Sequence, residues 1–134
     1  MLKRKMIEYI TAFGLGAYLY GGIEVIARGY THWTMALTGG AVMLLFMLIN
    51  RTKGINIFLR CLLGALVITS LEFSVGMIVN VHLGWNVWDY SDKPLNVMGQ
   101  ICPLFSAGWY AVSLPAFVLC TAVENRLSSP KYIS

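Results

Sequence analysis

Charge is what this sequence has least of. Asp, Glu, Lys and Arg make up 12% of its 134 residues, against roughly 25% in a soluble domain, which excludes an ordinary water-facing globular surface. Histidine occurs twice and cysteine three times. Cys61, Cys102 and Cys120 sit in apolar surroundings with no CxxC pair and no metal-ligand spacing. They read as packing residues, and neither a metal nor a cofactor is expected. His32 and His82, even joined with the acids inside the apolar stretches, form no close pair of the His-x-x-x-His kind. There is no P-loop, nucleophile elbow, HExxH or Gly-rich dinucleotide motif, so the reading favours a protein that is not an enzyme. The net charge of +4 does not point to nucleic acid, because the cations alternate with apolar stretches instead of gathering on one element.

What is present is apolar: 57% of the residues are hydrophobic. A spanning helix takes roughly 20 apolar residues, and four such stretches use most of the chain. The expected fold is all-α, a polytopic membrane protein forming one integral domain over 1–134, with helices at about 7–28, 33–50, 57–83 and 95–123. The basic start Met1–Glu8 resembles the first part of a signal peptide, but the apolar stretch from Tyr9 to Ala27 is long enough to span, and no cleavage is expected. Small residues at Ala17 and Gly21, and again at Ala36 and Gly40, have the spacing of close helix contacts and are read as surfaces for a homo-oligomer. Pro94–Val123 has no charged residue. Its expected form is a helix starting near Asn96 and bent at Pro103. In the other form, Leu95–Cys102 enters only partly and Pro103 opens the helix. Pro115 should add a kink, and the tail from Glu124 should fray.

Lys and Arg set the expected orientation. Lys3, Arg4, Lys5, Arg51, Lys53, Arg60, Arg126 and Lys131 fall on one side of the four spans, and Arg28 and Lys93 on the other. Both termini are therefore expected in the cytoplasm of a cell-membrane protein. The Arg28–Trp33 turn and the Gly84–Lys93 loop are expected outside.

The polar residues that remain are concentrated. Val81–Tyr90 reads Val-His-Leu-Gly-Trp-Asn-Val-Trp-Asp-Tyr, with rings of the kind that favour a membrane surface. Glu24 and Glu72 lie inside spans, where an acid costs several kcal/mol unless it is paired, neutral or facing water. Glu24 has Arg28 four residues on, in the favoured order. Glu72 lies about 15–18 Å of helix from Arg60 and from His82, near the expected midplane. Its partner is expected from another helix: Arg28, His32, Asn96 or Gln100. Gly76 and Asn80 share its face at spacings of four. The expected ligand-binding set is Glu24, Arg28, His32, Glu72, Asn80, His82, Trp85, Asn86, Trp88, Asp89, Tyr90, Asn96 and Gln100: aromatic walls with a few convergent polar groups. The plainer roles stay open beside it. Trp33, Trp85, Trp88, Tyr30 and Tyr90 also suit an aromatic belt, and the histidines suit caps for backbone carbonyls. Ile23-Glu24-Val25 followed by Gly29, His32 and Trp33 parallels Leu71-Glu72-Phe73 followed by His82, Gly84 and Trp85. The fold would then be two similar helical hairpins, with chance similarity the alternative.

Tyr20-Gly21-Gly22-Ile23-Glu24-Val25, Arg28-Gly29-Tyr30-Thr31-His32-Trp33, Leu71-Glu72-Phe73, Leu83-Gly84-Trp85-Asn86-Val87-Trp88-Asp89-Tyr90 and Asn96-Val97-Met98-Gly99-Gln100-Ile101-Cys102 resemble the CmpB-like family of short membrane proteins, described as ABC-transporter type IV permeases. The resemblance covers about Tyr20–Trp109. It implies motif positions at Glu24, Arg28, His32, Glu72, Trp85, Asn86, Asp89, Asn96 and Gln100, and a role in transport without naming a substrate. Any ATPase would be a separate chain. The expected function is thus a permease or permease subunit with an outward-facing polar and aromatic pocket for a small polar or cationic ligand. The alternatives are an enzyme acting on a lipid or lipid-linked substrate at the outer surface, or an accessory subunit. The expected partners are the lipid bilayer, further copies of the chain, or separate transporter subunits.

Overall fold

The computed structural model describes residues 2–127. Among them are four long helices and no strand, apart from an isolated bridge between Val97 and Ile101. The helices are α1 (Leu2–Arg28), α2 (Trp33–Arg51), α3 (Ile57–Gly76) and α4 (Pro103–Leu127). α3 continues through a π-helical turn, Met77–His82, giving a helical stretch of 26 residues. All four are long and apolar enough to cross a membrane, as the expected all-α architecture requires.

The helix ends follow from local chemistry. Gly29 takes a positive φ of 83°, which stops α1 at Arg28. His32 caps α2, its Nδ1 accepting from the Thr34 N–H at 3.3 Å. Asn56 caps α3, its Oδ1 accepting from the Leu59 N–H at 2.8 Å. α1 begins at Leu2, ahead of the expected residue 7, because Arg4 and Glu8 pair one turn apart at 3.0 Å. At the other terminus, Glu124–Leu127 stay helical within α4, contrary to the frayed tail expected from Glu124. Residues 128–134, with Lys131, lie outside the described residues.

The expected helix over 95–123 is corrected more sharply. Residues 95–102 are non-helical, and Pro103 opens α4. Proline lacks the N–H that a helix interior needs, suits the first helical turn, and pushes the residue before it out of the helical region. Leu95 and Met98 have φ of 56° and 54°, values that no right-handed helix contains. Hydropathy registers none of this, since the stretch is uncharged throughout.

The chain divides into two compact units. The first contains α1, α2 and the part of α4 from Pro115 onward. A short turn makes α1 and α2 antiparallel neighbours, and their backbones touch. A Cβ on Gly16 would fall onto the Gly39 carbonyl and 2.6 Å from Met43 Cβ, and one on Gly39 would lie 2.6 Å from the Gly16 carbonyl oxygen. Gly40, expected at an assembly face, lies under the Phe13 ring instead, with 2.6 Å left for a Cβ. Small residues thus bring two helices of one chain together, where dispersion and packing replace the hydrophobic effect. In the same unit Phe117 stacks on Phe46 at 4.6 Å and the Cys120 thiol reaches Met43 Sδ at 3.5 Å.

Gly39→Ala is expected to destabilise the fold by about 1–3 kcal/mol, because the atoms it would meet first, Tyr20 Cβ and the Gly16 carbonyl oxygen, are fixed by the backbone and cannot rotate away. Gly14 and Gly22 have nothing within 4 Å of a would-be Cβ. Alanine at either should stabilise α1 by roughly 0.5–1 kcal/mol. Unfolding midpoints of the three variants in mild detergent check both the sizes and the opposite signs.

The second unit contains α3, its π-helical turn, the non-helical connector 83–102 and α4 up to Leu114. A hydroxyl pair, Thr69 Oγ1 and Ser106 Oγ at 2.8 Å, joins α3 to α4. It lies in an open groove of about 380 Å³ otherwise lined by Leu62, Ala65, Leu66, Ala107 and Tyr110.

Candidate functional site

The second unit gathers its polar groups along one face of α3. Glu72, Gly76 and Asn80 follow at intervals of four. Glu72 is 3% exposed, and Trp109 of α4 donates its indole N–H to Glu72 Oε2 at 3.2 Å. One turn further, Gly76 is approached by the connector. A Cβ there would collide with Gln100 Oε1 and lie 2.9 Å from Trp88 Cζ2, so the close approach requires glycine. The π-helical turn starts at the next residue, Met77, and the Leu83 N–H bonds back five residues to the Ile78 carbonyl at 2.9 Å. Such turns recur at functional sites.

Asn80 ties the connector down from both ends of its amide. Its Nδ2 donates to Gln100 Oε1 at 2.8 Å, and its Oδ1 accepts from the Val87 N–H at 2.6 Å. Gln100 donates from Nε2 to the Met98 carbonyl at 2.8 Å, and the Trp88 indole donates to the Gln100 carbonyl at 3.0 Å. Gln100 and Trp88 are both buried. Asn96 holds the far loop: its Nδ2 donates to the Ser91 and Lys93 carbonyls, and its Oδ1 accepts from the Gly99 N–H at 2.9 Å. Tyr90 stacks on Phe105 at 4.6 Å. Asp89 Oδ1 accepts from the Ser91 N–H at 2.9 Å. Hydrogen bonds from the Ser91 side chain and then its backbone hold the Asp89 carboxyl below the usual carboxylate range, so it is ionised at neutral pH.

Of the expected ligand-binding set, Asn80, Trp88 and Gln100 therefore come together around Gly76, and Glu72 lies one helical turn away against Trp109. Asp89, Tyr90 and Asn96 order the connector. His82, Trp85 and Asn86 are exposed, Asn86 with a φ of 52°. Glu24, Arg28 and His32 lie in the first unit. Glu24 pairs with Arg28 within α1, and the Arg28 guanidinium sits 4.7 Å over the Tyr30 ring. His32 Nδ1 accepts from the Thr34 N–H and also meets Thr34 Oγ1 at 2.7 Å. Tyr30, Trp33 and Trp85 are exposed as belt residues are, but Trp88 is not: its indole is taken by Gln100. Both expected repeat units have a glycine with positive φ after the helix, Gly29 and Gly84. Beyond it, a helix follows Gly29 after three residues, whereas the connector follows Gly84.

Trp109 is the residue that sequence reasoning missed. Glu72, expected to meet Arg28, His32, Asn96 or Gln100, takes a hydrogen bond from that indole. The available signal was slight: one ring with a polar N–H in an otherwise apolar run. Glu8 was missed as well. Placed in a basic start, it is in fact 1% exposed. It accepts from Arg4 Nε at 3.0 Å and pairs with Arg51 Nη2. Arg51 also donates to Tyr9 Oη at 2.9 Å and lies 3.5 Å from Glu124. This cluster joins α1, α2 and α4 in the first unit.

No curated protein and no solved structure matches the chain. The family model described as Putative ABC-transporter type IV matches residues 19–132, a span that includes Glu24, Glu72, the whole connector and Trp109. The chain belongs to the Putative ABC-transporter type IV family.

Proposed function

We propose that this chain is the membrane-embedded component of a transport system, and that Glu72 is the group that meets its ligand, a small polar or cationic solute. The observation that carries the reading is a carboxyl buried near the middle of a 26-residue helical stretch and held by an indole N–H. Ionisable groups at that depth are costly and mark ligand or proton pathways. The connector gives such a site a cover: Trp88 and Gln100 close over Gly76, one turn above the acid. The Lys and Arg distribution supports a cover on the outer face, with both termini cytoplasmic. The family's name supports a transport role. Within that role, an ATPase or another transporter subunit on a separate chain, or further copies of this one, would complete the pathway.

The test uses Trp109 as a built-in reporter. The full chain in nanodiscs is titrated with choline, putrescine, sodium and protons while indole fluorescence is followed. Saturable change with at least one of these, lost in Glu72→Gln and in Trp109→Phe, is the expected result. A response that survives Glu72→Gln, or none with any of the four, counts against Glu72 as the ligand group.

A further inference from the structure

The connector has an outer side that the proposed site does not use. Leu95 is 82% exposed and Met98 61%, with Val97 between them also exposed. Leu95 and Met98 both hold left-handed backbone, φ 56° and 54°, a conformation that is strained for a non-glycine residue. The turn thus accepts strain and presents large apolar side chains outward. In water the arrangement has no return, since leaving such side chains exposed forfeits the stabilisation of burying them.

Many of the polar groups of the same segment face the opposite requirement and meet it internally. The Asn96 N–H bonds to the Lys93 carbonyl, Val97 to Ile101, and Gln100 to Val97. The Gly99 N–H goes to Asn96 Oδ1, and its carbonyl accepts from the Tyr90 N–H. The Met98 and Gln100 carbonyls accept from Gln100 Nε2 and Trp88 Nε1. Irregular backbone does not face lipid in the hydrocarbon core, and at the membrane boundary each internally bonded group lowers the cost of leaving water. The outer side also continues into a span. Pro94–Val123 contains no charged residue, and the next large side chain into α4, Leu104, is exposed as well. At 25 residues α4 is long enough to cross alone, so the connector belongs at the membrane boundary and not at its centre. Lys93 ends the apolar side where a cation reaches headgroups.

We propose that Leu95, Val97 and Met98 form an interfacial crest, inserted into the acyl boundary of the bilayer beside the start of α4. The crest fixes the connector to the membrane surface while its inner side carries Trp88 and Gln100.

Leu95→Cys and Met98→Cys, each spin-labelled in the full chain, are compared with Ser91→Cys and Asp92→Cys in nanodiscs of phosphatidylethanolamine and phosphatidylglycerol. The native cysteines are buried, and the unsubstituted chain sets the labelling background. Relaxation at 95 and 98 should be driven several-fold more by oxygen than by a water-soluble nickel chelate, with the reverse at 91 and 92. Nickel-dominated relaxation at 95 and 98 overturns the crest. Protection from both reagents overturns it too, because a protein surface would then be the cover.

Discussion

Arg51→Ala is expected to lower the stability of the protein by about 3–5 kcal/mol, the range for removing one partner of a buried ion pair. Arg51 touches three groups at once: the buried Glu8 carboxyl, Tyr9 Oη and Glu124. Alanine leaves Glu8 with Arg4 alone, and it removes the link by which the end of α2 holds both α1 and α4. The opposite deletion should be milder. Glu8→Leu fills the same volume with apolar atoms, Arg51 keeps Tyr9 and Glu124, and the Arg4 and Arg51 side chains are 37% and 30% exposed, so water solvates them. A double variant, Glu8→Leu with Arg51→Ala, should recover most of the loss, because no uncompensated charge stays buried. Unfolding midpoints of the four proteins in one detergent form the cycle. Equal costs for Arg51→Ala and the double variant would mean that the guanidinium matters to Tyr9 and Glu124 and not to Glu8.

That cluster also shows which parts of the molecule its sequence exposes to reading. Three helices and most of a fourth are legible because a bilayer span is a demand on composition alone: about 20 residues, apolar, without charge. The start of α4 is not legible by that measure. Residues 95–102 satisfy it and still form a turn, through Pro103 and through side-chain hydrogen bonds of Asn96 and Gln100 that stabilise non-helical backbone. Burial of Glu8 is hidden for a related reason. Among Lys3, Arg4 and Lys5 it looks like one more surface charge, and only the long-range partner Arg51 takes it out of water. Glycine spacing gave the right physics with the wrong partner at Gly40, since a small face does not say whether the facing helix lies in the same chain. In the connector, the polar residues were legible as a set, but not their division of labour: Asn80, Asn96 and Gln100 face backbone groups and one another. Such pairings depend on φ values at Asn86, Leu95 and Met98 that residue identity does not announce.

Glu72 is where a single atom should have the largest effect on activity. Glu72→Gln keeps the length of the side chain and an oxygen able to accept from the Trp109 indole, so the fold should change little. What it removes is the capacity for negative charge. If a cation is the ligand of this carboxyl, binding should weaken on the order of 100-fold, within the 2–5 kcal/mol range for removing one side of a buried charged contact; if a proton is, its uptake at this position should be lost altogether, because an amide does not titrate there. Glu72→Leu separates that role from a structural one. It leaves the Trp109 N–H without this acceptor, in a place water does not reach, and should destabilise by about 1–3 kcal/mol. Trp109→Phe in the same background removes the orphaned donor, and the Glu72→Leu, Trp109→Phe pair should regain much of that stability, since replacing both partners by apolar groups is close to neutral. The pair should nevertheless remain inactive. Calorimetric titration of the nanodisc-embedded chain reads binding without needing the Trp109 signal, and the unfolding midpoint reads stability. Full ligand binding by Glu72→Gln, together with rescue of stability in the double variant, would reduce Glu72 to a hydrogen-bond acceptor for one indole.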